Sequence, residues 1–308
     1  MLEVPRQVRT IFMGSPDYAA TILSALYDSG HSIIGVITQP DKRVGRGKHM
    51  QSPPVKLLAD DLGLPCYQPS SVKNKAFQET LAEINPELII VAAYGKILRK
   101  HILEFPKYGC VNVHASLLPR WRGASPVHAA ILHGDEQTGV TIMKMDEGID
   151  TGGIIASHAV SLVGTETTGQ LTEQLAHLGA DLLVKTLPDY MAGHIEPVAQ
   201  NEEQATYAGL IEKQDGLIDF ILSAEEIERK VRAMDPWPTA FFTWDNRNIK
   251  VFSAEILPAN TLSPGKRGTF DKYPIIGTAT NDLMLRELQM PGKNRVDGKT
   301  FLNGARGW

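Results

Sequence analysis

The apolar run Val8-Arg9-Thr10-Ile11-Phe12-Met13 is broken at once by Gly14-Ser15-Pro16, and that break restricts what the chain can become. Ser15 is placed to cap a helix whose first residue is Pro16, a position where the missing proline N–H costs nothing. Ala20, Ile22, Leu23 and Leu26 carry the helix to Gly30, a natural stop, and Ser32-Ile33-Ile34-Gly35-Val36-Ile37 follows as a second strand. Strand, glycine turn, helix and strand open a doubly wound α/β sheet. One Gly14 followed by Ser15 and Pro16 is not the glycine pattern that cradles a dinucleotide, so NAD is not expected.

The 308 residues are more than one compact core usually holds. Two domains are expected: residues 1–192, a linker at 193–210 where periodicity gives way to Asn201-Glu202-Glu203-Gln204, and residues 211–308. In the first, Thr38 to Pro54 reads as a long loop, and Glu87 to Ala93 and Gly139 to Met145 read as further strands. Thr167 to Met191 reads as a long amphipathic helix that packs on the core. In the second, Ser223-Ala224-Glu225-Glu226 is a capping box that starts a helix ended by Asp235-Pro236-Trp237-Pro238. Short strands at Ala240–Trp244, Ile249–Leu257, Gly268–Phe270, Ile275–Ala279 and Leu283–Leu288 then suggest a small β-barrel.

Hydrophobic content of 43% and charged content of 21% are ordinary globular values. No leader of the signal type and no run of 18 uncharged apolar residues is present, which sets the expectation of a cytoplasmic protein with no membrane partner. Cys66 and Cys110 lie far apart in apolar surroundings, so neither a disulfide framework nor a metal site is expected. Net charge is −4, yet residues 42–56 contain Lys42, Arg43, Arg46, Lys48 and Lys56 and no acidic residue, a local patch able to hold phosphate.

Chemistry concentrates in Gly109-Cys110-Val111-Asn112-Val113-His114-Ala115-Ser116-Leu117-Leu118-Pro119. Asn112 and His114 at a spacing of two share one face of a strand, roughly 6.6 Å apart along its axis. An unpartnered buried amide or imidazole costs about 1–3 kcal/mol, so the two belong at the mouth of a pocket. An amide and an imidazole can stabilise negative charge growing on a carbonyl oxygen under attack by an amine. A nearby carboxylate would orient the ring and steer a proton off the amine. Asp150, beside Gly148 and Gly152-Gly153, fits that role better than Asp146-Glu147, which reads as turn chemistry.

Asn112-x-His114-x-Ser116-Leu117-Leu118-Pro119-x-x-x-Gly123, with Asp150-Thr151-Gly152, resembles the formyltransferases that use 10-formyltetrahydrofolate. Met13-Gly14-Ser15-Pro16, Ala93-Tyr94-Gly95-Lys96-Ile97-Leu98 and Pro236-Trp237-Pro238 extend the likeness along the chain. The resemblance implies a Rossmann-like catalytic domain and a C-terminal OB-like barrel that binds tRNA. It places the catalytic trio on Asn112, His114 and Asp150 and the folate-contacting turn on Ser116, Leu117, Leu118 and Pro119. It implies 10-formyltetrahydrofolate as co-substrate with no metal, and a monomer that formylates the α-amine of methionine on initiator tRNA for translation initiation. The basic loop, Asp41 to Gln51, would supply Arg43, Arg46 and Lys48 as tRNA contacts. Two departures from the usual pattern are Arg99, where proline is common, and Thr239, where glycine is common. Rival readings are a formyltransferase for a nucleotide-linked amino sugar or for glycinamide ribonucleotide, and a non-catalytic protein that only binds tRNA or folate.

Overall fold

β1 (Thr10–Gly14) is buried along its whole length, between β2 (Ile33–Ile37) on one side and β6 (Leu88–Ala92) on the other. The computed structural model describes residues 7–44 and 49–308. α1 (Asp17–Asp28) joins the first two strands, and Gly30 just beyond it takes a left-handed φ of 80°. Pro16, not Ser15, occupies the cap position, and no side chain caps this helix. The Ser15 hydroxyl instead accepts hydrogen bonds from the Thr38 hydroxyl and the Gln39 N–H, both at 3.2 Å, tying the β1 turn to the end of β2.

The expected loop after β2 contains a hairpin of β3 (Lys42–Val44) and β4 (His49–Gln51), with Arg43 opposite Met50. α2 (Pro54–Asp61), β5 (Cys66–Tyr67) and α3 (Lys75–Ile84) lead to β6. Asn74 caps α3 by accepting from the Phe77 N–H at 3.0 Å, and Asn85 ends it at φ 50°. Beyond β6 come α4 (Lys100–Leu103), β7 (Cys110–His114) and β8 (Arg122–Gly123). They are followed by α5 (Pro126–His133), β9 (Gln137–Lys144), β10 (Ile154–Ser161) and α6 (Thr168–Met191). The sheet order is β10-β9-β7-β6-β1-β2-β5. β5, β2, β1, β6 and β7 run parallel, and β9 runs antiparallel to β7. The chain reverses its direction of winding between β1 and β6, and in such sheets ligands bind outside the carboxyl ends of the strands at that point. Ile11, Met13, Ile37, Phe77, Leu81, Ile89 and Val91 fill the core under it.

The last third is β-rich. After β11 (Tyr207–Ala208), α7 (Ala224–Ala233) begins at the expected capping box: Ser223 and Glu226 exchange side-chain-to-backbone hydrogen bonds. It is followed by β12 (Ala240–Trp244), β13 (Arg247–Ile256) and β14 (Arg267–Phe270). β15 (Tyr273–Gly277), β16 (Asp282–Gln289), β17 (Val296–Asp297) and α8 (Gly298–Gly304) complete the chain. The strands pair in the order β12-β13-β16-β15-β14, with β17 on β16. Asp245 and Asn246, both left-handed, turn β12 directly into β13, so that strand starts two residues before the expected Ile249. Phe242, Trp244, Phe301 and Trp308 meet edge-on in the core, and the Trp308 indole N–H donates to the Gly268 carbonyl at 2.8 Å. Thr239 stands at φ 71° although its branched side chain disfavours that region; its N–H donates to Met234 O at 2.7 Å and its hydroxyl to Pro236 O at 3.0 Å.

Packing divides the chain otherwise than composition does. One compact unit holds the residues up to Ala124 with Thr138–Val160 and Thr172–Tyr207; the other holds Ser125–Gln137, Ser161–Leu171 and Ala208–Trp308. α5 packs on α7, and the Arg229 guanidinium donates to Leu132 O at 3.2 Å, which is why an early helix belongs with the C-terminal residues. Most of the stretch expected to be a linker is folded onto the first unit: Val198 and Ile154 exchange backbone hydrogen bonds of 2.8 and 2.7 Å.

Candidate active site

β7 lies between β6 and β9 and is buried throughout, so Asn112 and His114 reach the carboxyl end of the sheet on one face. They are 8% and 6% exposed, open enough to meet a ligand and too enclosed to be held by bulk water. Among the described residues the Asn112 carboxamide makes no hydrogen bond with the protein, which leaves its N–H groups for a substrate oxygen. His114 Nε2 lies 2.9 Å from the Trp121 carbonyl. A carbonyl can only accept, so Nε2 carries a proton and Nδ1 is the ring atom left to take or give one. Nδ1 faces Asp150, 3.7 Å from its Oδ2.

Asp150 stands at φ 53°, and the same Oδ2 accepts the Gly123 N–H at 2.8 Å. The loop that carries it admits no bulk: a Cβ on Gly152 would fall 1.8 Å from Lys144 O. Asp146 does the turn work, accepting from Gly148 N at 3.1 Å and from the Thr151 hydroxyl at 2.6 Å. The geometry therefore brings Asn112, His114 and Asp150 together and sets Asp146 apart.

The turn Ser116–Pro119 is built from within. The fully buried Ser116 hydroxyl donates to Arg120 O at 2.6 Å, and the Thr141 hydroxyl bridges Ser116 O at 2.7 Å and Leu118 N at 3.1 Å. Leu118 is buried too, while Leu117 and Pro119 are partly exposed and give the turn its accessible surface. Of the basic trio, Arg43 is exposed on β3; Arg46 and Lys48 lie outside the described residues.

Several residues around the trio have no signal of their own in the sequence. Arg122, three residues beyond Pro119, is completely buried. It donates to Gln200 Oε1 from Nε and Nη2 at 3.0 and 2.9 Å and makes a two-pronged pair with Glu202 at 2.8 and 2.7 Å. Glu202 and Tyr207 hold that guanidinium still more firmly charged. Thr206 grips the same turn through Trp121 N and Arg122 N, each at 2.9 Å. Cys110, beside the trio on β7, is an inert thiol: burial pushes it up to about 12, and it donates weakly to Ile102 O at 3.6 Å.

Residues 7–187 match the formyl transferase family, and residues 210–306 match the formyl transferase C-terminal domain. The chain belongs to the formyl transferase family. This formyltransferase is 44% identical over 301 residues to a methionyl-tRNA formyltransferase of Desulforamulus reducens, covering 96% of this chain and 95% of that one. It is 42% identical over 308 residues to a methionyl-tRNA formyltransferase of Desulfotalea psychrophila, covering 98% and 94%. Among solved structures, an N-formyltransferase of Helicobacter canadensis in complex with folinic acid and dTDP-3-aminofucose superposes with a TM-score of 0.69 at 19% identity, over 92% of this chain and 100% of that one. HypX from Aquifex aeolicus in complex with tetrahydrofolic acid gives 0.66 at 17%, over 96% of this chain and 47% of the longer HypX. A methionyl-tRNA formyltransferase from Clostridium thermocellum gives 0.57 at 17%, over 94% and 100%. At those identities the solved structures speak to the α/β fold of this formyltransferase and its β-rich C-terminal part.

Proposed function

We propose that this enzyme transfers the formyl group of 10-formyltetrahydrofolate to the α-amino group of methionine on initiator tRNA. The observation that carries the reading is the meeting of a free Asn112 amide, a His114 ring with Nδ1 uncommitted, and the Asp150 carboxylate at one strand end, in a chain whose whole length parallels methionyl-tRNA formyltransferases. A free α-amine has a pKa of about 7.7–8.0, so a modest pull presents it neutral for attack. Nitrogen bonds to the formyl carbon, the bond from that carbon to the folate nitrogen breaks, and one proton moves from the amine to the released folate nitrogen.

The chain's own groups serve this in order. The Asn112 N–H donates to the carbonyl oxygen as negative charge gathers there. His114 Nδ1 receives the amine proton, and the ring is then a cation between two acceptors, Trp121 O and Asp150. Leu117 and Pro119 form the wall against which the folate rests, and the buried Ser116 and Leu118 fix the shape of that wall. Arg43, Arg46 and Lys48 attract the tRNA phosphates, a role suited to long, flexible cations. Among the described residues no helix is long and apolar enough to cross a membrane; we propose that the enzyme acts in the cytoplasm and as a monomer.

Single-turnover transfer from 10-formyltetrahydrofolate, with methionine-charged initiator tRNA and an amino-sugar nucleotide competing as acceptors, tests the reading. Formylated methionyl-tRNA as the sole product is expected. Exclusive formylation of the sugar would keep the trio and overturn the acceptor; no transfer to either would overturn the reaction.

A further inference from the structure

We propose that Gln200 is a positioning residue for the reaction, holding Asp150 in the left-handed backbone conformation in which its carboxylate faces His114. The proposal rests on the catalytic reading of Asn112, His114 and Asp150. Gln200 lies 50 residues beyond Asp150, in polar sequence that composition marks as linker, yet its Nε2 donates to two carbonyls of the catalytic loop, Asp150 O and Gly152 O, each at 2.8 Å. Its amide orientation is settled by chemistry. Oε1 takes two N–H groups from Arg122 at 3.0 and 2.9 Å, and a reversed amide would set NH2 against guanidinium and oxygen against two carbonyls.

The loop gains from such a grip. A left-handed backbone is less favourable than the ordinary right-handed or extended one for any residue with a Cβ, although aspartate tolerates it better than most, so contacts that hold Asp150 at φ 53° oppose its relaxation. Among the described residues its side chain accepts one hydrogen bond, from the Gly123 N–H, which fixes an oxygen and not the direction of approach. Gln200 adds two anchors, on the carbonyls of residues 150 and 152, and thereby fixes the chain on both sides of Thr151. Gln200 is itself immobilised. The Val198–Ile154 exchange pins the strap before it, and the pair between buried Arg122 and Glu202 pins it after. Without that grip the carboxylate can keep its bond to Gly123 and still swing off the His114 ring, where an error near 1 Å costs about 100-fold in rate.

Two substitutions separate positioning from mere support of the fold. Gln200→Glu keeps the acceptor that Arg122 needs but turns an oxygen toward the two loop carbonyls; Gln200→Ala removes both halves. For Gln200→Glu the expected result is an unfolding temperature close to wild type, kcat lowered about 10- to 100-fold, and KM for folate and for charged tRNA within about twofold. Gln200→Ala should lose kcat to a similar extent and stability as well. The ring 15N resonances of His114, read without substrate, should move in Gln200→Glu because the facing carboxylate has moved. Asp150→Asn is the control. If Asp150→Asn is inactive while Gln200→Glu keeps kcat within twofold and leaves the His114 resonances in place, the role of Gln200 is overturned and the trio stands. If Asp150→Asn itself turns over at the wild-type rate, the trio falls and the role of Gln200 with it.

Discussion

The cleft around Asp150 and the β3–β4 hairpin both carry polar residues and are built in opposite ways. In the cleft a completely buried arginine and a half-buried glutamine bond to each other, the arginine to Glu202 and the glutamine to the Asp150 loop as well, and a threonine ties down the turn at Trp121. On the hairpin Lys42, Arg43, His49, Met50 and Gln51 are all exposed, and three residue pairs make up the ladder. A proton transfer depends on position to a fraction of an ångström, and only a closed network supplies that. Attraction of a phosphate backbone tolerates several ångströms and gains from cations that stay hydrated and adaptable.

Breaking the cleft should therefore cost rate, and breaking the hairpin should cost affinity. Asn112→Ala should show the largest effect, a loss of about 10²–10³ in single-turnover rate at saturating substrates, because among the described residues its amide makes no hydrogen bond whose loss would confound the result. Activity within a few-fold of wild type would remove Asn112 from the mechanism. Replacing Arg43, Arg46 and Lys48 together by glutamine should weaken tRNA binding by about 100-fold at low salt and flatten the slope of log K against log salt by about 2, with the rate at saturating tRNA retained. A fall in that saturating rate would blur the contrast between the two regions.

Smaller changes sharpen the contrast from the cleft side. Arg122→Met should cost about 2–3 kcal/mol in denaturant unfolding, since it strands the Gln200 oxygen and removes the pair with Glu202. Glu202→Gln should be the mildest. Hydrogen bonds from Arg122 hold the Glu202 carboxyl below the usual carboxylate range. The stability it adds is thus present above the unfolded value of about 4.3 and is lost as pH falls through the lower folded value. Unfolding of wild type and Glu202→Gln should differ at pH 6 and converge once the pH has fallen below the folded value of the Glu202 carboxyl. A difference that persists at low pH would show that the contact does not depend on charge.

The same two regions show what the sequence could convey. Asn112 and His114 were legible because strand geometry puts residues two apart on one face, and Asp150 because the glycines around it announce a backbone that side chains would obstruct. The opening β1–α1–β2 was legible through its breakers, although Ser15 was misjudged. A serine before a proline looks like a helix cap, and nothing local tells that Thr38 and Gln39 will claim its hydroxyl. Arg122, Gln200 and Thr206 were illegible for the same reason at longer range. Their partners stand up to 85 residues away, and each is an ordinary polar residue in a stretch without periodicity. In the sequence the hairpin looks like a loop, because its strands are three residues long and face solvent, so no alternation of apolar residues marks them.

The interleaving of the two units bears on how the protein can be divided for study. Cutting the gene after residue 192 follows the change in composition, but the product would lack Gln200, Glu202 and Thr206, which belong to the first unit. The complementary fragment from residue 211 would lack α5 and leave bare the face of α7 on which that helix packs. Neither product is a module in the sense that a purified half reports on its own behaviour in the whole. Inherited variation should carry the same mark: substitutions at 125–137 answer to the C-terminal residues, and substitutions at 198–207 answer to the residues around Asp150.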